Sequence, residues 1–382
     1  MSSIFGVDHA CVSDMYVFGN NLVVTSAVAG TPLVCFDADT LERKWEYKGV
    51  GTGRSYAPRE DISQVGCFSP PIYCTASKKI VCLEKKGLYG DDVFRYRLIT
   101  HIISLENGFC IEKSGLDEPP TFSAINVIGE RIFRYSPGSI NMIQEVSFEG
   151  KVIREISFND PLSNLCQFEI NFFKGSFVGH ANPRERGVVC ISKFELDRFD
   201  TYAELSALEQ VAFRISDVFI DRHYLIFCAY SKISQEPVQI YTADLNSGKS
   251  LKKYVITKHL DLGATTVPIN AMARNADFVY FTKFNNLFAY GLAAQSIQIL
   301  DRKIRMSGLY TLFTTDQFLI GATEAENSVN FWREIRIWGL KDHRLLQTIK
   351  ENHLQQVLYT GKKLIGSHGE YLKAYDLLEA KT

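Results

Sequence analysis

The sequence predicts an all-β protein, an eight-bladed β-propeller of four-stranded antiparallel blades, with residues 1–382 forming a single domain. Three observations carry that expectation. A strand–turn–strand pattern recurs along the whole chain, two further short strands precede each copy, and apolar residues alternate at period two rather than at helical spacing.

The opening copy is CFDADTLERKWEY, Cys35 to Tyr47: an apolar strand, a polar turn holding Asp37, Asp39 and Thr40, and a return strand. Its echoes are HIISLENGFCIEK (His101 to Lys113), IQEVSFEGKVIREISF (Ile143 to Phe158) and VCISKFELDRFDTYAEL (Val189 to Leu205). Three more follow: QIYTADLNSGKSLKKYVI (Gln239 to Ile256), LFAYGLAAQSIQIL (Leu287 to Leu300) and IRIWGLKDHRLLQTI (Ile335 to Ile349). The second strands end near residues 47, 113, 158, 203, 256, 301 and 350, a period of about 45 to 50 after a first interval of 66. Two insertions in the second unit, GVGTGRSYAPREDISQ and EKKGLYGDDVFRY, lengthen that interval. Between the hairpins lie two more strands per unit, such as LYTLFTTD and QFLIGATEA in the seventh. Four strands per period of this length are a propeller's signature. They are called A, B, C and D below.

The eighth copy, Tyr371 to Thr382, stops where its second strand should begin, and a spare apolar segment, Ser2 to Asp8, precedes the first A strand. An unpaired outer strand leaves backbone groups open. The N-terminal segment is therefore expected to serve as strand D of the last blade. Seven blades result if the first and last partial units form one blade.

Hydrophobic content of 46% and aromatic content of 12% supply a large core. With 42 basic and 43 acidic residues the net charge is −1, which gives no global attraction to nucleic acid or to an anionic membrane. Nine cysteines occur at 11, 35, 67, 74, 82, 110, 166, 190 and 228, none spaced CxxC. Buried free thiols are expected, as suits a reducing compartment. The N-terminus shows no basic segment followed by an apolar one, and no apolar run approaches membrane length. A cytoplasmic location follows as the expectation.

The repeats resemble those of the WD-repeat and quinoprotein-like (PQQ-like) propeller superfamily. IRIWGLKDHRLLQTI is similar to the end of a WD repeat, with Trp338-Gly339 where Trp-Asp is usual. CFDADTLERKWEY resembles a quinoprotein-type repeat, in which an aspartate turn is followed by Gly-Lys and a docking tryptophan. Here Arg43-Lys44-Trp45 stands in, and YTADLNSGKSLKKY keeps Asp244 and Gly248-Lys249 without a tryptophan. The resemblance implies the propeller fold across the chain. Quinoprotein enzymes add a set of docking tryptophans, polar ligands around a quinone and calcium, and an adjacent cysteine pair. This chain has only Trp45, Trp332 and Trp338 and no such pair, so no cofactor is expected. Trp45 and Trp338 are instead expected to pack between blades.

Catalytic signatures are few. GVGTGRS, Gly49 to Ser55, lacks the lysine and the following helix of a phosphate loop. Neither GxSxG nor HExxH occurs, and the eight histidines stand apart in the sequence. GSHG, Gly366 to Gly369, is similar to the Gly-His turn of WD repeats. No catalytic residue and no metal site is expected.

The A–B and C–D turns are short, while the B–C and D–A connections carry the insertions. These two classes leave a blade at the same end, so long excursions there suggest a binding face on a rigid scaffold. The candidate residues are Arg54, Tyr56, Arg59 and Glu60 after the first blade. Tyr89, Asp91, Asp92 and Phe94 follow in the second, Arg184 and Arg186 in the fourth, and Lys232 and Glu236 in the fifth. Asn330, Phe331, Trp332 and Arg333 complete the set in the seventh. Tyr, Trp and Arg are the types enriched in interface hot spots. The expected function is a non-catalytic scaffold, monomeric alone, that binds a protein or peptide. The alternatives are a propeller hydrolase, lyase or oxidoreductase with its site at the channel mouth, and an envelope assembly factor.

Overall fold

The computed structural model describes residues 4–6, 10–48, 66–118, 124–157, 169–204, 213–255, 271–302, 312–324 and 332–377, apart from breaks inside several of these stretches, among them 182–187, 194–202, 232–238 and 245–251. Among the described residues every regular element is a β-strand. The strands form eight antiparallel sheets, at residues 12–47, 66–118, 124–157, 169–204, 213–255, 272–302, 312–352 and 356–375. Within each sheet the strands pair in sequence order, as a meander.

The repeat read from the sequence is thus the repeat of the fold. The fourth strands end at Tyr47, Glu118, Ser157, Glu204, Val255, Arg302 and Asn352, within a few residues of the expected positions. The eighth sheet has three described strands. In the fifth, strand A is divided: Phe213–Ile215 and Phe219–Asp221 pair with separate parts of Tyr224–Ser231. In the second, strand A carries Pro70 and Pro71, and its register breaks between Ser69 and Tyr73. A strand with a free edge tolerates proline because one of its sides has no ladder to supply.

The described residues divide into two compact units: residues 1–163 with 354–377, and 164–353 with 378–382. In the first unit, Val23, Leu33, Cys35 and Trp45 of sheet one pack against Ile80, Cys82, Ile103 and Leu105 of sheet two. In the second, Ile226, Cys228 and Ile240 of sheet five pack against Met272, Val279, Phe281, Phe288 and Tyr290 of sheet six. Strands buried on both faces read as continuous apolar runs, such as Leu33–Asp37 and Asn286–Gly291. The outer strand Leu345–Asn352 alternates instead between exposed and half-buried positions.

The C–D turns share one geometry despite different sequences. In sheets one, two and seven the residues Leu41, Gly108 and His343 each donate their N–H to the carbonyl four residues back, at 2.9 Å. Each has a positive φ, 59°, 73° and 57°, as does Gln295 at 48° in sheet six. Only one of these four positions carries the glycine that this backbone region favours.

Of the segment Ser2 to Asp8, expected to close the last blade, only Ile4–Gly6 lie among the described residues. Its described residues, Ile4–Gly6, form a turn, with Gly6 at φ 64°. Ile4 N–H still reaches the Glu370 carbonyl at 3.1 Å, and Val12 N–H reaches that of Gly369 at 2.9 Å. Ile4 and Phe5 are buried with Leu22, Val34, Phe36 and Ile365 in a core shared by sheets one and eight. Lys362 joins the same two sheets by an ion pair to Asp39 at 2.6 Å.

The five cysteines whose side chains are described are free thiols, but their burial is uneven. Cys35, Cys82 and Cys228 are buried, Cys11 is half-buried and Cys110 is exposed. Burial pushes the Cys35 thiol up to about 12, and raises Cys82 and Cys228 for the same reason. Cys110 opens the outer strand of sheet two, where neighbouring Phe109 and Ile111 are exposed as well.

Candidate functional site

An antiparallel meander sends its B–C and D–A connections from one end of the sheet and its A–B and C–D turns from the other. The A–B turns are short, as at 19–20 and 315–317, and so are the C–D turns 38–42, 105–109 and 340–344. The D–A connections include 48–65, 158–168 and 256–271. The asymmetry expected from the sequence therefore holds, with exceptions. The C–D connection of sheet four, 194–202, is long, and the B–C connections of sheets two and six, 91–92 and 284–285, are only two residues in length.

Sheet two corrects one reading. EKKGLYGDDVFRY was expected to be an inserted loop. It is a ribbon, in which Lys79–Gly90 and Val93–Ser104 pair without interruption from Lys79↔Ser104 to Gly90↔Val93. Tyr89 and Phe94 are thus directly opposite strand residues rather than loop residues, and Asp91 and Asp92 lie between the strand ends. Trp332 and Arg333 likewise begin the strand Trp332–Gly339, opposite Asn352 and Glu351. Arg54, Tyr56, Arg59, Glu60, Asp91, Asp92, Arg184, Arg186, Lys232, Glu236, Asn330 and Phe331 lie outside the described residues.

The structure brings together residues that the sequence keeps apart. His101, fully buried, lies between Tyr47 of sheet one and Glu84 of its own sheet. Its Nδ1 is 2.9 Å from the Tyr47 hydroxyl and its Nε2 is 2.8 Å from a Glu84 carboxylate oxygen. A carboxylate only accepts, so in the neutral imidazole Nε2 carries the proton and Nδ1 accepts from Tyr47. Burial, and then a hydrogen bond with Cys110, raise the Tyr47 phenol above its ordinary range. The chain orders a hydroxyl, an imidazole and a carboxylate where sheet one meets sheet two, one residue before the connection 48–65 departs. The histidine was read as isolated because its partners lie 54 and 17 residues away. Only the strand pairing and the packing of two sheets bring them within reach.

A second buried polar group ties sheets five, six and seven. The Asp221 carboxylate accepts from Arg274 N–H at 2.8 Å, from Thr314 N–H at 3.2 Å and from the Thr314 hydroxyl at 2.9 Å. The Arg274 guanidinium donates to the Thr242 hydroxyl and lies 4.1 Å from the centre of the Tyr224 ring. Its burial lowers the Arg274 pKa. Arg336 of sheet seven joins Asp301 of sheet six at 2.8 Å and Glu334 at 2.9 Å. These groups bind sheets to one another; their satisfaction from within reads as structural. Among the described residues no group of three or more His, Cys, Asp or Glu could hold a metal ion.

Tryptophan bears out the packing role at one position. Trp45 is buried against sheet two, and its indole N–H donates to the Leu105 carbonyl at 2.9 Å. Trp338 is fully buried, with no acceptor for its indole N–H among the described residues. His368 is buried with Nε2 2.6 Å from the Tyr375 hydroxyl, a structural contact within sheet eight.

No protein-family model and no curated protein sequence matches the chain. Solved structures do. The Dos1 propeller is similar at a TM-score of 0.58 and 10% identity, covering 96% of this chain and 92% of that one. BamB from Moraxella catarrhalis aligns over 99% of both chains, at 0.54 and 9% identity. The WD40 domain of SCAP from fission yeast aligns over 95% of this chain and 94% of its own, at 0.52 and 9% identity. At such identities the likeness is one of fold, and it extends over nearly the whole chain: this protein has the β-propeller fold.

Proposed function

We propose that this propeller is a non-catalytic scaffold that binds a protein or peptide through the B–C and D–A end of its sheets. The observation that supports the reading is the unequal length of the connections, which places 48–65, 158–168 and 256–271 at that end and tight turns at the other. A rigid framework with long segments on one side separates stability from recognition. The residues favoured for contact are Arg54 and Tyr56 in the first unit, and Arg184 and Trp332 in the second.

The same reading takes the propeller as eight-bladed, with the residues around Ile4 completing the last blade. The bond from Ile4 to Glu370 and the burial of Phe5 support it. The free thiols at Cys35, Cys82 and Cys228 suit a cytoplasmic protein that is monomeric without its partner.

The test is partner capture from the native cell by the full chain, followed by mass spectrometry. Arg54→Ala/Tyr56→Ala and Arg184→Ala/Trp332→Ala are compared with the parent. One pair or the other is expected to abolish capture while the melting temperature stays within a degree or two, as for surface changes. Unchanged capture by both removes this end of the sheets as the binding face.

A further inference from the structure

The hydrogen-bonded chain through His101 has a fourth member at the surface. Cys110 is directly opposite Ile103 on the neighbouring strand, and Ile103 lies two residues from His101. Cross-strand partners and residues two apart share a face, and Ile103 packs against sheet one. The Cys110 thiol therefore stands on the side of sheet two that meets Tyr47, with which it forms a hydrogen bond. Exposure falls along the series. Cys110 is exposed and Tyr47 half-buried, while His101 and Glu84 are 0% and 2% exposed.

This order of groups is that of an activated nucleophile: a thiol open to solvent, a base behind it, and a carboxylate that orients the base. Among the described residues, Tyr47 faces His101 from sheet one, and Cys82 and Glu84 face it from its own sheet. Burial holds Cys82 as the neutral thiol, which leaves Glu84 as the anion beside the ring. An imidazolium formed at His101 is thus held by a carboxylate 2.8 Å away. Cys110 Sγ also donates to the Glu112 carbonyl at 3.3 Å, a contact that fixes the sulfur without taking its proton.

We infer that Cys110 is a site of oxidation by hydrogen peroxide, served by a proton chain through Tyr47 to His101. The thiol proton passes to the Tyr47 oxygen as the Tyr47 proton passes to His101 Nδ1. The thiolate sulfur then attacks one peroxide oxygen: an S–O bond forms, the O–O bond breaks and hydroxide leaves. His101 returns its proton through Tyr47, and the hydroxide departs as water. The sulfur loses two electrons to the peroxide and becomes a sulfenic acid. Tyr47 touches the reacting thiol; His101 and Glu84 act through it. The exposed end admits a small oxidant, and the buried end keeps the base in one tautomer.

The test treats the full chain with about a tenfold excess of hydrogen peroxide, traps sulfenic acid with dimedone and maps the label by mass spectrometry. A parallel reaction uses iodoacetamide. Both reagents need the thiolate, but only peroxide needs a proton for its leaving group, since iodide departs unprotonated. The parent is expected to form sulfenic acid at Cys110 faster than at Cys11, a half-buried thiol outside this chain of bonds. Tyr47→Phe and His101→Gln are each expected to slow the peroxide reaction at Cys110 about tenfold or more, and the iodoacetamide reaction by clearly less. Labelling at Cys11 should stay as in the parent. Should His101→Gln fail to fold, Tyr47→Phe, which keeps the ring, decides alone. No sulfenic acid at Cys110 of the parent overturns the inference, as do unchanged rates in the variants. An equal fall for both reagents also overturns it, because Tyr47 and His101 then govern only the thiol's surroundings.

Discussion

The indole of Trp45 lies flat against Gly108, so that a Cβ built on that glycine would sit 2.7 Å from the ring. Trp45 belongs to the outer strand of sheet one and Gly108 to the C–D turn of sheet two. The glycine serves two needs at once, a φ of 73° and the absence of a side chain under the tryptophan. The indole N–H then meets the Leu105 carbonyl in the same turn.

Gly108→Ala is therefore expected to destabilise the fold by about 2 to 4 kcal/mol, combining left-handed backbone strain with overpacking. Trp45→Phe should cost about 1 to 3 kcal/mol, because it leaves the Leu105 carbonyl without its donor. Urea unfolding of both variants checks the order. At Gln295, which has the same left-handed backbone on an exposed turn, a glycine is expected to be neutral or stabilising.

Asp221 is the group on which three sheets of the second unit converge. Asp221→Ala would leave the Arg274 and Thr314 backbone N–H groups without this acceptor in the interior, while the Thr314 hydroxyl keeps the Arg274 carbonyl at 2.9 Å. A loss of about 3 kcal/mol or more is expected. Thr314→Val removes one of these bonds and should cost about 1 to 2 kcal/mol. Thermal unfolding of the two variants tests the ranking; an Asp221→Ala protein as stable as the parent would remove the carboxylate from the core's support.

Two groups set opposite edges of the acid response. The side-chain hydrogen bond from Lys44, with the N–H groups of Thr40 and Asp39, holds Asp37 down to about 2, from an ordinary 3.8. A carboxylate lowered on folding contributes stability above 3.8 and loses it as pH falls towards 2. Asp37→Asn should accordingly lose stability at neutral pH and converge with the parent below about pH 2.

His343, at the C–D turn of sheet seven, is lowered below its ordinary 6.5 by burial against Phe278 and Tyr280. A histidine lowered on folding contributes its stability above 6.5, and that contribution falls as pH drops below 6.5, where the unfolded chain takes up the proton first. Urea midpoints at pH 7.5 and 5.5 should fall for the parent, and fall less for His343→Gln.

The thiols offer a test of the packing itself. In the folded chain a thiol reagent should modify Cys110, which is exposed, while Cys35, Cys82 and Cys228 stay unmodified until urea is added. Peptide mapping before and after denaturation distinguishes them. Early labelling of Cys82 would contradict the packing of sheet two against Trp45.

Much of this architecture was legible in one dimension because a meander is local. Each strand pairs with its sequence neighbour, so alternation and turn residues announce both the strands and their order. The fourth strands ended where the period placed them, and Trp45 was recognisable as a packing residue. The ribbon of sheet two was misread because Gly87, Gly90 and the Asp91-Asp92 pair look like loop punctuation. In the folded chain the long partner strand supplies pairing that outweighs those local preferences. At the N-terminus the described residues Ile4–Gly6 form a turn, with Gly6 at positive φ, a local conformation that alternation of apolar residues does not announce.

The sequence by itself determined the repeat, the all-β class and the end of each sheet from which the long connections leave, since these depend on periodicity and strand order. Only the tertiary structure decided that His101 lies between Tyr47 and Glu84 and that Asp221 joins three sheets. Those relations depend on register and on the packing of one sheet against another, and a single slip of one residue would send each side chain to the opposite face.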